Sequence, residues 1–267
     1  MLRLLLTLTL LCASTYAQAE PRVLYVTHEP GRWHDYTAQL NTFRDIAADA
    51  NWELTVASGD VDALLAFLKQ PNYADDHDAV VYNFCLANSR DIAAMENLIA
   101  QTEVNGVPAL LLHCAMHSWW GTFKKGKKIP GNAGEARANR KLLKQWQKGN
   151  ADRPLPAWGD FTGVASTKHG PQQPIALTAT GEHPATKNLP ADYHTEKTEL
   201  YNNHYVTEGV EPLLYGKQGN TEAIVMWTVA RGSGRIVGLT LGHAKPEWSD
   251  AVFLQLLTDS VNWLAGH

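Results

Sequence analysis

The 267-residue sequence has little cysteine, no surplus of positive charge and no long apolar run. Its three cysteines are too few for a disulfide framework. Its net charge of -4 argues against a general nucleic-acid-binding protein. No apolar run reaches the roughly 18 residues that a membrane-spanning helix needs. Internal repeats and low-complexity linkers are also lacking. These absences favour one globular domain without an integral membrane segment or a nucleic-acid partner.

The first residues are typical of a secretory signal peptide at 1–19. Arg3 gives a basic start, residues 4–11 form a leucine-rich core, and an Ala-Gln-Ala cleavage site occupies 17–19. A lipoprotein attached at Cys12 is the alternative, although the leucine before it is larger than such sites prefer. We therefore expect cleavage before Glu20 and a mature protein in the periplasm or outside the cell.

The mature chain, residues 20–267, alternates apolar strands with amphipathic helices. Unbroken apolar runs suit parallel strands that are covered on both faces. The strands are expected at 22–27, 52–57, 79–84, 108–112, 175–179, 198–201, 213–215, 223–229 and 235–241, and the helices at 36–50, 61–68, 90–101 and 248–265. Asp35, Asp60 and Ser89 are placed to cap the first three helices. The pattern predicts a single α/β domain with a doubly wound, mainly parallel sheet flanked by helices.

A basic stretch at 121–150 interrupts this pattern. It holds nine Lys or Arg residues against the single acidic residue Glu135. Its second part, 135–148, has the spacing of an exposed helix. We interpret the stretch as a solvated insertion, and an anion-binding or partner-binding patch is the alternative.

Histidines stand at the ends of several predicted strands. His113 ends the strand at 108–112, His243 follows the strand at 235–241, and His34 lies in the loop after the first strand. Ligands of open α/β sheets bind at the carboxyl ends of the strands. With the carboxylate of Glu199, the three histidines would satisfy one divalent metal ion such as Zn²⁺.

These four residues, His34, His113, Glu199 and His243, are therefore our candidates for both catalysis and metal binding. The sequence has no HExxH motif and no short ligand spacing, so the prediction depends on topology. Acid/base histidines without a metal ion are the alternative. No nucleotide cofactor is expected.

Tryptophans lie close in sequence to these histidines. Aromatic faces beside polar groups suit stacking on a sugar ring, while core packing is the alternative for each of them. The candidates for substrate binding are Trp33, Asp35, His117, Trp119, Trp120 and Trp248.

Cys114 is a candidate nucleophile at the end of the predicted strand at 108–112. A strand-turn-helix elbow presents its nucleophile at the first residue past the strand. In the predicted register that residue is His113, and no glycines surround Cys114 to permit a strained turn. Cys114 and Cys85 both follow predicted strands. The sequence leaves open whether they form a disulfide or remain separate core thiols.

Several stretches are similar to motifs of one protein family. They are 23–27 with Trp33-His34-Asp35, Leu112-His113-Cys114-Ala115, 183–190, Glu199-Leu200-Tyr201, and 232–237 with Leu241-Gly242-His243 and Trp248. Through these stretches nearly all of the mature chain resembles the trehalose-utilisation (ThuA-like) family, which has a class I glutamine-amidotransferase-like fold. The chain departs from the family at Thr198, where the family has an acidic residue.

The resemblance implies a role in carbohydrate catabolism, where ThuA-like proteins accompany sugar dehydrogenases that make keto-sugars. It adds Tyr201 to the substrate-binding candidates. It implies no glutaminase activity, because His113 stands where amidotransferases have their cysteine nucleophile.

We therefore expect an enzyme that acts on a sugar or keto-sugar by acid/base chemistry, as an isomerase, lyase or hydrolase. A non-catalytic domain that binds a glycan or a partner in its Trp-rich cleft is the alternative. A cysteine hydrolase that uses Cys114 is a third hypothesis. A homo-oligomer is compatible with the sequence.

Overall fold

The computed structural model describes residues 19–119, 127–128, 137–138, 140–150 and 152–267. Its strands are β1 (Arg22–Thr27), β2 (Glu53–Ala57), β3 (Ala79–Asn83), β4 (Ala109–Leu112), β5 (Lys127–Lys128), β6 (Arg137–Ala138), β7 (Val164–Ala165), β8 (His169–Gln173), β9 (Ala176–Ala179), β10 (Thr198–Tyr201), β11 (Tyr205–Val206), β12 (Glu211–Gln218), β13 (Thr221–Arg231) and β14 (Gly234–Leu239). Its helices are α1 (Tyr36–Asp49), α2 (Val61–Leu68), α3 (Ile92–Glu103), α4 (Arg140–Gly149), α5 (Trp158–Thr162) and α6 (Ala251–Ala265).

One eight-stranded sheet organises the chain, in the order β2-β1-β3-β4-β14-β13-β12-β9. The five strands from β2 to β14 are parallel, and β13, β12 and β9 continue the sheet antiparallel. The predicted α/β class with a mainly parallel, helix-flanked sheet is therefore confirmed. The parallel strands β1, β3, β4 and β14 bring their carboxyl ends to one edge, and the loops that follow them lie there.

Both faces of the sheet are buried at its centre, because successive side chains of β1, β3, β4 and β14 enter different cores, while the edge strand β2 is partly exposed. Leu24 and Val26 join the core under α2 and α3. Val23 and Tyr25 point the other way, into the core under α1 and α6. This is why the strands read as unbroken apolar runs. At roughly 25 cal/mol per Å² of buried apolar surface, these two cores are the main stabilising contribution to the fold.

Aspartates cap the helices at the functional edge. Asp35 accepts a hydrogen bond from the Ala38 N–H, and Asp60 accepts one from Ala63, as predicted. The predicted cap Ser89 is wrong, and the third helix begins at Ile92. Asp91 reaches the Ala94 N–H at 3.0 Å, whereas Ser89 accepts only from the Asp91 N–H.

Three two-stranded sheets lie outside the main sheet. They pair β10 with β8, β11 with β7, and β5 with β6. The pairing of Lys127–Lys128 with Arg137–Ala138 shows that the predicted helix at 135–148 begins too early. The helix there is α4, which starts at Arg140. Most of the predicted insertion before α4 lies outside the described residues, as does nearly all of the predicted signal peptide.

Among the residues with a described structure, no helix is long and apolar enough to cross a membrane.

Candidate functional site

The three predicted histidines converge at the carboxyl edge of the sheet. His113 follows β4 directly, His243 lies four residues after β14, and His34 lies between β1 and α1. Because β4 and β14 are neighbouring parallel strands, their ends bring His113 and His243 together. One ligand atom from each histidine lies within 4.8 Å of the others.

Glu199 completes the cluster from the small sheet formed by β8 and β10. Its Oε2 lies 3.3 Å from His243 Nδ1 and 3.8 Å from His113 Nε2. His113 Nε2 lies 3.2 Å from His243 Nδ1. The structure thus brings all four predicted residues into one cluster, while their roles remain predictions.

Backbone carbonyls orient two of the imidazoles. His113 Nδ1 donates to the Thr240 carbonyl at 2.7 Å, and His34 Nδ1 donates to the His243 carbonyl at 3.1 Å. A carbonyl oxygen can only accept, so both Nδ1 atoms carry the proton and both Nε2 atoms keep a lone pair. Such second contacts are typical of metal-ligating histidines, whose tautomer and orientation they determine.

Burial keeps these imidazoles neutral. Loss of solvent lowers the pKa of His34 to about 4. It lowers the pKa of His113 well below 6.5, and the nearby His34 acts in the same direction. Burial also lowers the pKa of His243, against the attraction of Glu199. At neutral pH all three side chains therefore offer lone pairs rather than positive charges.

The loop that carries His243 is held by a residue that sequence reasoning missed. Glu247 is buried, and its carboxylate accepts hydrogen bonds from the N–H groups of Gly242 at 3.0 Å and His243 at 2.7 Å. Burial raises the pKa of Glu247, and these hydrogen bonds oppose the increase. Gly242 has φ +104, and a Cβ there would meet Phe253 Cζ at 2.9 Å, so the turn requires glycine.

The structure adds two further polar residues, His169 and Gln172, from β8. In the antiparallel register Gln172 faces Glu199 and His169 faces Tyr201. Gln172 Nε2 donates to His243 Nε2 at 2.7 Å and to Glu199 Oε1 at 3.3 Å. His169 Nδ1 lies 3.5 Å from Glu199 Oε1. Sequence reasoning missed both because β8 is a polar, mostly exposed strand without apolar alternation.

Tyr201 and His117 form a wall beside the cluster. Their rings stack with centroids 4.1 Å apart, and the Tyr201 hydroxyl donates to His113 Nε2 at 3.1 Å. His117 Nε2 also makes a hydrogen bond with the Ser166 hydroxyl. Burial lowers the pKa of His117 to about 4. Both predicted residues therefore lie at the site, with Tyr201 supporting His113 directly.

The predicted tryptophans have different positions. Trp33 is 57% exposed, with the Arg32 guanidinium over one face of its ring. Trp248 is buried and donates from its indole N–H to the Gly242 carbonyl. Trp119 is fully buried, packs against Trp158 and donates to the Asp91 carbonyl. The prediction that Trp119 binds substrate is wrong, because its ring turns into the core. Trp120 lies outside the described residues.

A cavity of about 240 Å³ opens beside two of the histidines. Its lining includes Trp33, His34, Asp35, His243, Lys245 and Trp248. Asp35 contributes mainly as the cap of α1, since its carboxylate binds the Ala38 N–H. Trp33 is the large exposed aromatic ring of this lining and has the exposure that stacking on a ligand requires.

Cys85 and Cys114 form a disulfide. The pairing that the sequence left open is therefore present. A sulfur bonded in a disulfide is not a free thiolate, which removes the basis for a cysteine nucleophile at Cys114.

Comparison with known proteins identifies relatives of the whole domain. The family model described as ThuA, trehalose utilisation, matches residues 22–264. A comparison with curated proteins found no match. A structure described as a ThuA-like protein from Bacteroides uniformis has a TM-score of 0.64 and 17% identity, covering 94% of each chain. A similarly described structure from Parabacteroides merdae has a TM-score of 0.64 and 16% identity, covering 92% of this chain and 90% of that one.

A more distant likeness is to a structure from Thermoplasma acidophilum that is described as a GMP synthase component. Its TM-score is 0.54 with 7% identity, over 93% of this chain and 96% of that one. At these identities the structural comparisons show a shared fold. The family model covers nearly all of the described domain, and the chain therefore belongs to the ThuA family, which is described by trehalose utilisation.

Proposed function

We propose that this protein is a sugar- or keto-sugar-processing enzyme whose cluster of His34, His113, His243 and Glu199 binds one divalent metal ion. The observation that carries the proposal is the convergence of three neutral imidazoles and a carboxylate from four separate segments. Two of the imidazoles are oriented by backbone carbonyls, as metal-ligating histidines usually are.

The distances in the cluster fit a small metal ion. With metal–nitrogen bonds of about 2.0–2.1 Å, neighbouring ligand atoms in a tetrahedral site lie about 3.3 Å apart. The separations between His113 Nε2, His243 Nδ1 and Glu199 Oε2 are 3.2, 3.3 and 3.8 Å. Nitrogen and carboxylate ligands suit Zn²⁺ and similar divalent ions.

Two contacts would have to change on metal binding: the Tyr201 hydroxyl, which donates to the lone pair of His113 Nε2, would have to release it, and the Gln172 amide would have to adapt. That amide now donates to His243 Nε2, which places the imidazole proton on Nδ1. A metal ion held by His243 Nδ1 would require the other tautomer, with the proton on Nε2. The Gln172 amide would then have to reorient so that its oxygen accepts from His243 Nε2–H while its N–H group still donates to Glu199 Oε1.

The family description and the cavity support a sugar as the substrate class. The ThuA family is described by trehalose utilisation, and the cavity places the exposed Trp33 ring beside His34 and His243. Aromatic faces suit the apolar face of a sugar ring. A bound divalent ion would polarise the carbonyl oxygen of a keto-sugar.

The protein's own groups would then handle the proton. A hydrogen on the carbon next to a sugar carbonyl is acidic, so a nearby base can remove it. Glu199 Oε1 lies 3.3 Å from Gln172 Nε2 and 3.5 Å from Nδ1 of the half-exposed His169, whereas Oε2 is the oxygen next to His243 and His113. Glu199 Oε1 is our candidate proton acceptor. The reaction class that fits is enolisation followed by isomerisation or elimination.

We also propose that the protein acts outside the cytoplasm. The signal-like sequence at 1–19 supports this location, and the Cys85–Cys114 disulfide fits an oxidising compartment. Expression of the full chain in a Gram-negative host, followed by intact-mass measurement, tests it. A mature protein that begins at Glu20 is expected, and an uncleaved chain in the cytoplasm would contradict it.

The test of the function combines metal analysis with turnover. Metal content at neutral pH is measured for the wild type, for His113→Ala and His243→Ala, and for the exposed control His194→Ala. Turnover of trehalose and its keto derivatives is followed in the same samples. We expect about one ion per wild-type and control chain, and loss of both ion and turnover in the two cluster variants.

Absence of stoichiometric metal, together with unchanged turnover in both cluster variants, would overturn this mechanism. Sugar binding by calorimetry without any conversion would instead support a non-catalytic glycan-binding domain.

A further inference from the structure

The Cys85–Cys114 disulfide lies directly against the turn that carries His113. β3 and β4 are neighbouring parallel strands, and each cysteine comes two residues after the end of its strand. The two segments therefore leave the sheet side by side. The disulfide joins them with their Cα atoms 5.0 Å apart.

The backbone of His113 needs support from its surroundings. Its φ is +41°, in the left-handed region that a residue with a side chain rarely adopts. Such conformations persist only where neighbouring structure holds them. A relaxed His113 would swing its imidazole away from the Thr240 carbonyl and from His243.

The loop after β3 holds the turn at two places. At the far end, the Leu86 N–H donates to Ser118 Oγ at 3.1 Å, and the Trp119 N–H donates to the Leu86 carbonyl at 3.0 Å. At the near end, the disulfide ties Cys114, the residue next to His113, to Cys85. Hydrogen bonds thus fix one end of the turn, and the disulfide fixes the other end, beside the candidate metal ligand His113.

We propose that the Cys85–Cys114 disulfide positions His113, keeping its imidazole aligned with His243, and that opening the disulfide weakens metal binding. The effect on metal binding rests on the proposed function, whereas the effect on the position of the imidazole does not. The expected loss of metal affinity is about 10- to 100-fold, as for other groups that orient a metal ligand.

Reduction by a dithiol would open the bond chemically. The dithiol gives up two electrons and two protons, the S–S bond breaks to two thiols, and the dithiol closes to its own cyclic disulfide. Cys85 is partly exposed, which gives a reductant a point of attack.

The test compares the wild type with a Cys85→Ala/Cys114→Ala double variant. Leu214→Ala, a buried apolar change in β12 three strands away from β4, controls for general destabilisation. Co²⁺ affinity is measured from the visible absorption of the bound ion. The protonation of the His113 ring is measured without metal by long-range ¹H–¹⁵N NMR.

We expect the double variant to lose Co²⁺ affinity and the single Nδ1–H form of His113, while Leu214→Ala keeps both. Should the double variant fail to fold, dithiol reduction of folded wild type and removal of the reductant give the same comparison. An unchanged His113 signal after loss of the disulfide would overturn the inference, as would two free thiols in purified wild type. A wild type that binds no Co²⁺ would contradict the proposed function alone, because the NMR comparison still decides the role of the disulfide.

Discussion

His113 Nε2 and His243 Nδ1 lie 3.2 Å apart, although 130 residues separate them in the chain. Their proximity follows from the pairing of β4 with β14, whose register sets Leu112 beside Leu239. His113 continues directly from its strand, whereas His243 reaches the same point through a glycine turn held by Glu247. The site therefore depends on how the second loop is built.

Gly242→Ala tests that dependence. Both Gly242 and Gly219 have positive φ, but a Cβ at Gly219 meets no atom within 4 Å, whereas one at Gly242 meets Phe253 at 2.9 Å. Gly219→Ala, at φ +59° rather than +104°, is therefore the control for a side chain at positive φ without a steric clash, which costs about 1–2 kcal/mol. We expect Gly242→Ala to destabilise the protein further and to weaken metal binding. Urea unfolding and Co²⁺ titration measure both, and equal results for the two variants would contradict this role of the turn.

Trp33 and Trp119 are expected to respond in opposite ways to truncation. Trp119 is fully buried, so Trp119→Ala should lose about 3–5 kcal/mol of unfolding free energy. Trp33 is exposed, so Trp33→Ala should change stability by less than about 0.5 kcal/mol while weakening sugar binding. Urea unfolding and sugar calorimetry separate the two effects. Unchanged sugar binding in Trp33→Ala would remove Trp33 from the substrate site.

The buried His117 predicts a stability that depends on pH. Its pKa is about 4 in the folded protein, against about 6.5 when unfolded. Below pH 6.5 the unfolded chain therefore binds a proton that the folded protein does not bind. Stability contributed by the neutral imidazole is complete above pH 6.5 and is lost progressively as pH falls toward 4. Between pH 6.5 and 5 the loss is about 2 kcal/mol.

Urea unfolding of the wild type and His117→Phe, both in EDTA, measures this contribution. Phenylalanine retains an aromatic ring against Tyr201 but cannot be protonated. We expect the stability of the variant to fall by about 2 kcal/mol less than that of the wild type between pH 6.5 and 5. Equal losses of unfolding free energy in the two proteins would show that folding does not lower the pKa of His117.

The fold was predictable from local patterns. Strands such as 79–83 and 109–112 are apolar throughout because both of their faces are buried, and this left a clear signal. The parallel order then placed strand-end histidines at one edge. Those two facts predicted the positions of His113 and His243 without any knowledge of contacts.

The rest of the site depends on pairings that leave little trace in the sequence. β8 carries His169 and Gln172 on a polar strand, so only its register with β10 shows that they face Tyr201 and Glu199. The prediction that Trp119 binds substrate fails because the turn after His113 sets the direction of the Trp119 side chain. The φ of Trp119 in that turn is +53°. Short polar strands and turn geometry determine these positions, and neither has a hydrophobic period.

The most direct test of the proposed metal site is an anomalous difference map from a crystal of the mature protein grown with Zn²⁺. We expect one strong peak about 2.0–2.2 Å from His113 Nε2, His243 Nδ1 and a Glu199 oxygen, with His34 also coordinated. A saturated crystal with no peak among these four side chains, or with zinc bound only elsewhere, would show that the cluster is not a metal site.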